Sequence, residues 1–211
     1  MPTDIPQPLR GKTSNTTRRG HARASAILAQ AYAIFISEGY GGFSVRSVAL
    51  ACGVRLSTLQ HYYPSKADLL QALWFFVLER YQAAMDKVLD GMPDASRLER
   101  FLAAMDLFLA SAREPDTVRG LIQLWAAAAI DPVAARTLQK MQSRERKAVQ
   151  QLMLGINPGL SAEVCEARAA LIVAQLEGLA MQHSGQTMPA ALADAMDQAA
   201  RVSFHSLATS D

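Results

Sequence analysis

The sequence predicts an all-α protein with a small N-terminal helical domain and a larger helical bundle after it. Three observations predict this fold. Apolar residues recur at helical spacing, Pro and Gly interrupt the pattern at intervals typical of helices, and no stretch alternates as a strand does. The chain has 211 residues, of which 50% are hydrophobic and 19% are charged, so it is long enough for one or two domains with a buried core.

The first predicted helix covers residues 21–38. Its apolar residues lie on one side, and Gly39 begins the glycine-rich stretch that ends it. Residues 1–17 precede this helix and are rich in Pro, Thr and Ser without periodicity, which predicts a disordered basic arm.

Residues 43–66 predict two short helices joined by a tight turn, followed by the start of a third helix. Ser44 is placed to cap the first, and Gly53 ends it. The second, over 56–63, is apolar at Leu59 and Tyr63 and polar elsewhere. This pattern indicates a helix-turn-helix whose second helix enters a DNA major groove. A compact helical corner with a solvated polar face is the alternative from these residues alone.

The rest of the chain predicts an all-α bundle of about six helices, separated by Pro, Gly and capping residues. The first of the six has apolar residues on more than one side, so it is predicted to bridge two domains. We therefore expect a helix-turn-helix domain over 18–66 and a second helical domain over 67–211. The six helices are predicted at 66–92, 96–113, 117–130, 132–154, 161–183 and 190–207.

The charge is unevenly distributed along the chain. Residues 1–66 carry eight Lys or Arg against two Asp or Glu, whereas the remainder carries 13 against 17. A basic end on an acidic body is typical of a DNA-binding protein. No apolar run is long enough to span a membrane, the N-terminus does not resemble a secretory signal, and the two cysteines lie far apart. We expect a cytoplasmic protein.

The segment resembles the DNA-binding domain of the tetracycline-repressor (TetR) family of bacterial regulators. The likeness covers roughly residues 20 to 80. One position departs from the pattern, because the family often has an aromatic residue where this chain has Gln60. The matching stretches are Phe35-Ile36-Ser37-Glu38-Gly39-Tyr40, Ser44-Val45-Arg46-Ser47-Val48-Ala49, Ala51-Cys52-Gly53-Val54, Ser57-Thr58-Leu59 and Tyr62-Tyr63-Pro64-Ser65-Lys66, with Leu69 and Leu70 after them.

Both the polar helix and the resemblance indicate which residues contact double-stranded operator DNA. Short hydroxyl, amide and imidazole groups suit base edges and phosphates, and Arg46 suits a guanine or a phosphate. The expected contact set is Arg46, Arg55, Ser57, Thr58, Gln60, His61, Tyr62 and Lys66, with Ser57, Tyr62 and Lys66 on phosphates.

The resemblance also implies a homodimer in which the last two helices pair with their copies as a four-helix seam. Small alanines among larger apolar residues allow close helix approach. The alternative is that these stripes close the core of a single chain. The residues expected at the dimer interface are Leu171, Leu176, Leu179, Leu192, Met196 and Phe204.

Large, soft side chains and a few polar groups in the body indicate a pocket for a small-molecule effector, whose identity the sequence does not give. Ordinary core packing is the alternative. The expected pocket residues are Phe101, Met105, Phe108, Trp125, Gln175 and Met181.

The sequence carries no motif of an enzyme, a cofactor site or a metal site, so we expect neither catalysis nor a cofactor. The function that fits is a sequence-specific transcriptional regulator, acting as a repressor that a small molecule releases. Two alternatives stay open: a helical ligand-binding or protein-interaction module without specific DNA binding, and an architectural DNA binder without sequence preference.

Overall fold

The computed structural model of the chain describes residues 18–184 and 188–210, and side chains from residue 23 onward. All regular secondary structure in these residues is α-helical, which confirms the predicted fold class. The predicted arm, residues 1–17, lies outside the described residues. The helices are α1 (Arg18–Gly42), α2 (Val45–Ala51), α3 (Leu56–Tyr62), α4 (Lys66–Asp90), α5 (Arg97–Ser111), α6 (Pro115–Ala128), α7 (Pro132–Met153), α8 (Ala162–His183) and α9 (Ala190–Thr209).

Side-chain caps fix several of the helix starts that the sequence predicts. At α5, Ser96 Oγ accepts a hydrogen bond from the Glu99 backbone N–H at 3.2 Å, and the Glu99 carboxylate accepts one from the Ser96 N–H at 2.7 Å. At α8, Ser161 Oγ accepts from the Val164 N–H. Each cap satisfies N–H groups that have no partner inside the helix, and the predicted starts therefore lie close to the observed ones.

The described residues form two compact units. Unit 1 contains the chain up to Glu79 together with Gln123–Thr137, and unit 2 contains Arg80–Ile122 and the chain from Leu138 onward. The boundary falls inside α4, later than the expected domain border after residue 66. A segment from the middle of the chain also joins unit 1, which no local sequence signal indicated.

The core of unit 1 centres on Phe35 of α1. Its ring meets Phe43 edge-on at 5.4 Å and Trp74 of α4 at 5.7 Å, measured between ring centroids. Such edge-to-face aromatic pairs add to the stabilisation from burial. The buried residues around these rings are Ile27, Leu28, Ala31, Ile34, Val45, Val48, Ala49, Leu59, Tyr63, Leu69, Leu70 and Leu73.

Unit 2 has its own apolar core, built mainly from α5, α7, α8 and α9. Among its buried members are Phe101, Met105, Leu109, Val149, Met153, Ile172, Val173 and Phe204. Polar contacts add to this core at one end of α9. Arg113 donates to Asp194 Oδ1 and to the buried Asp197 Oδ2, both at 2.7 Å, so the residues that follow α5 are tied to α9.

Gly39 marks a kink in α1 that no other residue type fits well. Its φ is +69°, in the left-handed region, and the Gln123 side chain of α6 approaches it closely. A Cβ built on Gly39 would lie 2.8 Å from Gln123 Oε1. Backbone strain therefore disfavours a side chain at this position, and the flexible end of Gln123 would also have to move aside.

We expect Gly39→Ala to lower the free energy of unfolding by about 1–2 kcal/mol because of the left-handed φ, measured by urea denaturation. Gly41→Ala is the matched control: nothing lies within 4 Å of a Cβ there, and its stability should equal or slightly exceed that of the parent chain. Adding Gln123→Ala to Gly39→Ala should recover only part of the loss, since the strain remains. Equal stability of the Gly39 and Gly41 variants would contradict this account.

Candidate nucleic-acid interface

A short turn places α3 across α2. Ser44 and Ser47 form a reciprocal capping pair at the start of α2, and Ser47 Oγ also donates to the Gly42 carbonyl at 2.9 Å. Gly53 has φ +63°, and the next residue, Val54, donates its N–H to the Ala49 carbonyl at 3.0 Å. These contacts fix the angle at which the chain leaves α2 and enters α3.

Helix α3 has one buried side and one exposed side. Leu59 is fully buried and Tyr63, directly after the helix, is 3% exposed, so these two residues anchor α3 to unit 1. The exposed side of α3 is predominantly polar, and Arg46 of α2 is exposed as well. The exposed residues from the expected contact set are Arg46, Arg55, Ser57, Thr58, Gln60, His61 and Tyr62.

The electrostatics of this surface favour a polyanion. No Asp or Glu occurs between Glu38 and Asp68, whereas Arg46 and Arg55 are both exposed in that stretch. Guanidinium groups form bidentate hydrogen bonds with phosphate or with a guanine edge. The sequence did not single out Leu50, which is 83% exposed on α2 and lies four residues after Arg46.

The contacts of Lys66 do not agree with the prediction that it binds a phosphate. Its ammonium donates to the Tyr40 carbonyl oxygen and lies 3.5 Å from the centroid of the Tyr40 ring. The Tyr40 hydroxyl is in turn hydrogen-bonded to the Asp131 carboxylate; burial and this carboxylate raise the pKa of Tyr40 to about 12. Lys66 therefore ties α4 to the end of α1, and its charge is engaged within unit 1.

The expected pocket residues do not form one group. Phe101 and Met105 are buried in the core of unit 2, and Phe108 packs against the same core. Trp125 is 38% exposed and belongs to unit 1, and Met181 is 37% exposed on α8. Gln175 Oε1 accepts a hydrogen bond from Ser203 Oγ at 3.2 Å, so it connects α8 to α9.

Unit 2 contains a groove of about 360 Å³ between α5 and α9. Met105 is the one expected pocket residue that lines it, and Arg201 and Asp106 form an ion pair of 2.6 Å within it. The full lining is Leu102, Met105, Asp106, Arg201, Val202, Phe204 and His205.

An exposed apolar surface follows α8 and α9, and it includes only part of the interface that the sequence predicted. Phe204 is fully buried and Leu179 is 9% exposed, so both belong to the core of their own chain and their assignment to a dimer interface is wrong. Leu176 and Met196 pack partly against that core. Hydropathy alone does not tell which side of an apolar helix faces inward.

Leu171 and Leu192 are exposed, as the prediction requires, at 48% and 51%. They belong to two regular stripes with small residues between the large ones, which we call the α8–α9 stripe. Its members are Val164, Ala167, Leu171, Ala174, Gly178 and Met181 on α8, and Leu192, Ala195, Ala199 and Val202 on α9.

Two partly buried carboxyl groups of unit 2, Glu145 of α7 and Glu177 of α8, lie beside buried apolar residues; we call them the acid pair, and the sequence did not indicate it. Within α7, the buried residues Met141, Val149 and Met153 lie on one side, and Glu145 occupies the position four residues from the first two. Glu177 lies between the buried Val173 and Ala180 on α8. The sequence feature that could have indicated these two acids is a charged residue within the apolar stripe of a helix.

Burial dominates the electrostatics of this acid pair. It raises the pKa of Glu145 to about 8, with a further contribution from Glu177 and an opposing one from Arg146. Burial also raises the pKa of Glu177, against a hydrogen bond from Gln142 that lowers it. Gln142 Nε2 donates to both Glu177 oxygens at 3.1 Å. Glu177 is thus the member whose charged form has a donor.

An exposed polar helix held by a turn against a second helix, on a rigid helical support, defines a helix-turn-helix DNA-binding regulator. Residues 27–73, from α1 into α4, match the family of bacterial regulatory proteins known as the tetR family. These residues therefore form a DNA-binding domain of the tetR type, and the chain is a DNA-binding transcriptional regulator. The described residues contain no group of three or more His, Cys, Asp or Glu side chains that could hold a metal ion.

Known proteins resemble the chain beyond the DNA-binding domain. The HTH-type transcriptional regulator CymR from Pseudomonas putida is 28% identical over 178 residues, which cover 81% of this chain and 84% of CymR. A transcriptional regulator from Rhodococcus sp. Rha1 superposes with a TM-score of 0.65 at 23% identity, covering 88% of this chain and 94% of that one. A TetR transcription regulator from Haloarcula marismortui gives a TM-score of 0.66 at 18% identity, with 89% and 97% covered. At these identities the two structures show a shared fold.

The acid pair predicts a pH dependence of stability. The pKa of Glu145 is raised in the folded chain, so the folded state holds a proton that the unfolded state has already lost between about pH 4.5 and 8. The free energy of unfolding should therefore fall as the pH rises through that window. We expect a loss of at least about 1 kcal/mol, which a pKa shift of one unit already supplies.

Urea denaturation of the parent chain and Glu145→Gln at pH 5.5, 7 and 8.5 measures this effect. The variant cannot ionise at that position, so its stability relative to the parent chain should rise with pH. Glu166→Gln, at an exposed position of α8, is the matched control and should show a constant difference. A pH-independent difference for Glu145→Gln would contradict the burial of an acid at this position.

Proposed function

We propose that the chain is a repressor that binds its operator as a homodimer and is released by a small-molecule effector bound in unit 2. The observation that carries the DNA part is the exposed polar side of α3, anchored by Leu59 and Tyr63 and accompanied by Arg46. The α8–α9 stripe supports the homodimer. A regulator of this kind acts in the cytoplasm, where its operator lies. No described helix is both long and apolar enough to cross a bilayer.

The proposed contacts divide α3 into readers and anchors. Thr58, Gln60 and His61 are the base-edge readers, since their side chains are exposed around the middle of α3. Ser57 and Tyr62, near the two ends of the helix, bind phosphates. Arg46 binds a guanine or a phosphate from α2, and Arg55 adds charge where the chain enters α3. Lys66 is no longer in the set, because Tyr40 engages its ammonium.

A second copy of the chain is the proposed partner of the α8–α9 stripe. Val202 is 63% exposed, and Leu171 and Leu192 are each about half exposed, which is unusual for large apolar residues on a regular helix. The alanines and Gly178 between them allow two helices to approach closely. Regulators of the tetR family usually act as dimers, and two reading helices spaced about 34–36 Å apart, or a multiple, would contact two half-sites of one operator.

Release by an effector follows from linkage between two sites. A ligand that binds unit 2 better in one conformation shifts the population toward that conformation, and DNA affinity changes by the same factor. Helix α4 is continuous and supplies residues to both units, so we propose it as the mechanical link. Couplings of this kind typically amount to about 1–3 kcal/mol.

Gln60→Ala should change sequence preference at one position of each half-site by about 1–3 kcal/mol while leaving non-specific binding unaltered. Selection from a random-sequence DNA library, followed by titration of the selected sites, measures both. Ser57→Ala is the control within the same helix: it should weaken all sequences alike, because it removes a phosphate contact. Uniform weakening by Gln60→Ala would show that Gln60 does not read a base. A parent chain that selects no sequence at all would overturn the proposed function.

Leu171→Glu and Val202→Glu should each produce a monomer of 22.9 kDa, because a dimer would have to bury the new carboxylate. Light scattering measures the mass, and circular dichroism checks that the fold is kept. Ile130→Glu is the matched control: Ile130 is 84% exposed, lies outside the α8–α9 stripe and should leave the mass unchanged. If both stripe variants keep the mass of the parent chain, the second copy binds elsewhere.

A further inference from the structure

Helix α7 exposes one kind of residue along the part that belongs to unit 2, residues 138–153. Every exposed residue in this part is a lysine, an arginine or a glutamine, and we call the set the α7 basic face. Its three cations lie four and three residues apart, so they form a row about 10 Å long on one side of the helix. The members of the α7 basic face are Gln139, Lys140, Arg144, Lys147 and Gln151.

The α7 basic face contains no acid. Within residues 138–153 the one Asp or Glu is Glu145, which is half-buried and lies one helical turn from each of the buried residues Met141 and Val149. Among the residues that the structure describes, no ion pair and no hydrogen bond engages the ammonium group of Lys140 or of Lys147. These two cations are therefore available to a partner.

Positive charge is concentrated on α7 and is not spread evenly over the body of the chain. Residues 67–211 carry 13 Lys or Arg and 17 Asp or Glu, and α7 contains five of these basic residues but one of the acidic ones. Cations three and four residues apart repel one another and lower the stability of a helix, whereas cations that alternate with acids support it. A face that served only as solvated surface would gain from mixed signs. The single sign of the α7 basic face therefore indicates an anionic partner.

The side chains of the α7 basic face determine which anionic partner fits. Ammonium, guanidinium and amide N–H groups donate hydrogen bonds, and the oxygens of a phosphate backbone accept them. The α7 basic face has no aromatic residue on which the bases of a single strand could stack, and no apolar residue that could insert into a lipid bilayer. A row of donors of this composition suits the sugar–phosphate backbone of a duplex.

We propose that the α7 basic face binds the phosphate backbone of duplex DNA, as a second contact besides the one that α3 makes. The contact has no sequence preference, because phosphates carry no sequence information. The chain is a DNA-binding regulator, so once α3 is bound, further phosphates of DNA are present at a high effective concentration. They belong either to the flanks of the same duplex or to a second duplex, and in both cases the contact raises the affinity for DNA beyond the operator.

A double variant of the full-length chain tests this contact. Lys140→Gln combined with Lys147→Gln removes two cations and keeps polar side chains that favour a helix. The matched control combines Lys87→Gln with Arg119→Gln, which removes two exposed cations from α4 and α6 of the same unit. Both variants therefore change the net charge equally. Circular dichroism checks that each keeps the fold.

Fluorescence anisotropy measures binding to three duplexes between about 50 and 200 mM KCl. The first covers only a site selected from the random-sequence library, the second has the same site with flanks of several helical turns, and the third is a scrambled sequence of the same length as the second.

The double variant should bind the flanked and the scrambled duplex about tenfold more weakly than the parent chain at the lowest salt, and its slope of log K against log [KCl] should be smaller by about two for each chain. The control variant should match the parent chain. Tighter binding of the parent chain to the flanked than to the short duplex assigns the phosphates to the flanks. Retention of a differently labelled scrambled duplex on the short complex assigns them to a second duplex.

Equal affinity and an equal salt slope of the parent chain and the double variant on every duplex overturn the inference, and so does an equal loss in the control variant. Polyglutamate and vesicles of phosphatidylglycerol are tested alongside. If the double variant loses binding to one of these and none to DNA, the partner is of another class and the inference is wrong. A parent chain that selects no site from the library rejects the proposed function, whereas the scrambled duplex still tests the α7 basic face.

Discussion

The burial of Leu59 and Tyr63 is the constraint on which the DNA-reading surface depends. Helix α3 has seven residues, too few to be stable alone in water. Its conformation is therefore imposed by the core of unit 1, where Phe35, Phe43 and Trp74 meet edge-on. Two side chains on one side are enough to anchor α3. The residues on the other side are therefore free to contact DNA without lowering the stability of the domain.

The short helix α3 is supported by two long helices, α1 and α4. The ends of α1 and α4 are joined by Lys66 and Tyr40, and Asp131 adds a hydrogen bond from the start of α7. A cation held against a carbonyl oxygen and an aromatic face stabilises the junction without a buried, unpaired charge. In unit 1, then, the lysine that begins α4 serves the scaffold, and Arg46 and Arg55 at the surface are left for the polyanion.

Unit 2 differs from unit 1 in the kind of residue that it exposes to solvent. Its exterior carries large apolar residues along α8 and α9. These exposed apolar residues are accounted for if a second copy of the chain covers them. Functional sites are the places where a protein departs from the pattern that stability alone would favour.

The sequence by itself determined the helices, their caps and the helix-turn-helix, because these depend on neighbours in the chain: Ser44 before α2, Gly53 in the turn, Ser96 and Glu99 at α5. Tertiary structure decided which side of each apolar helix faces inward. It placed Phe204 and Leu179 in the core, left Val202 and Leu171 exposed, and turned Lys66 toward Tyr40. A helix with apolar residues on several sides has more than one way to pack, and only contacts between residues distant in the chain select one of them.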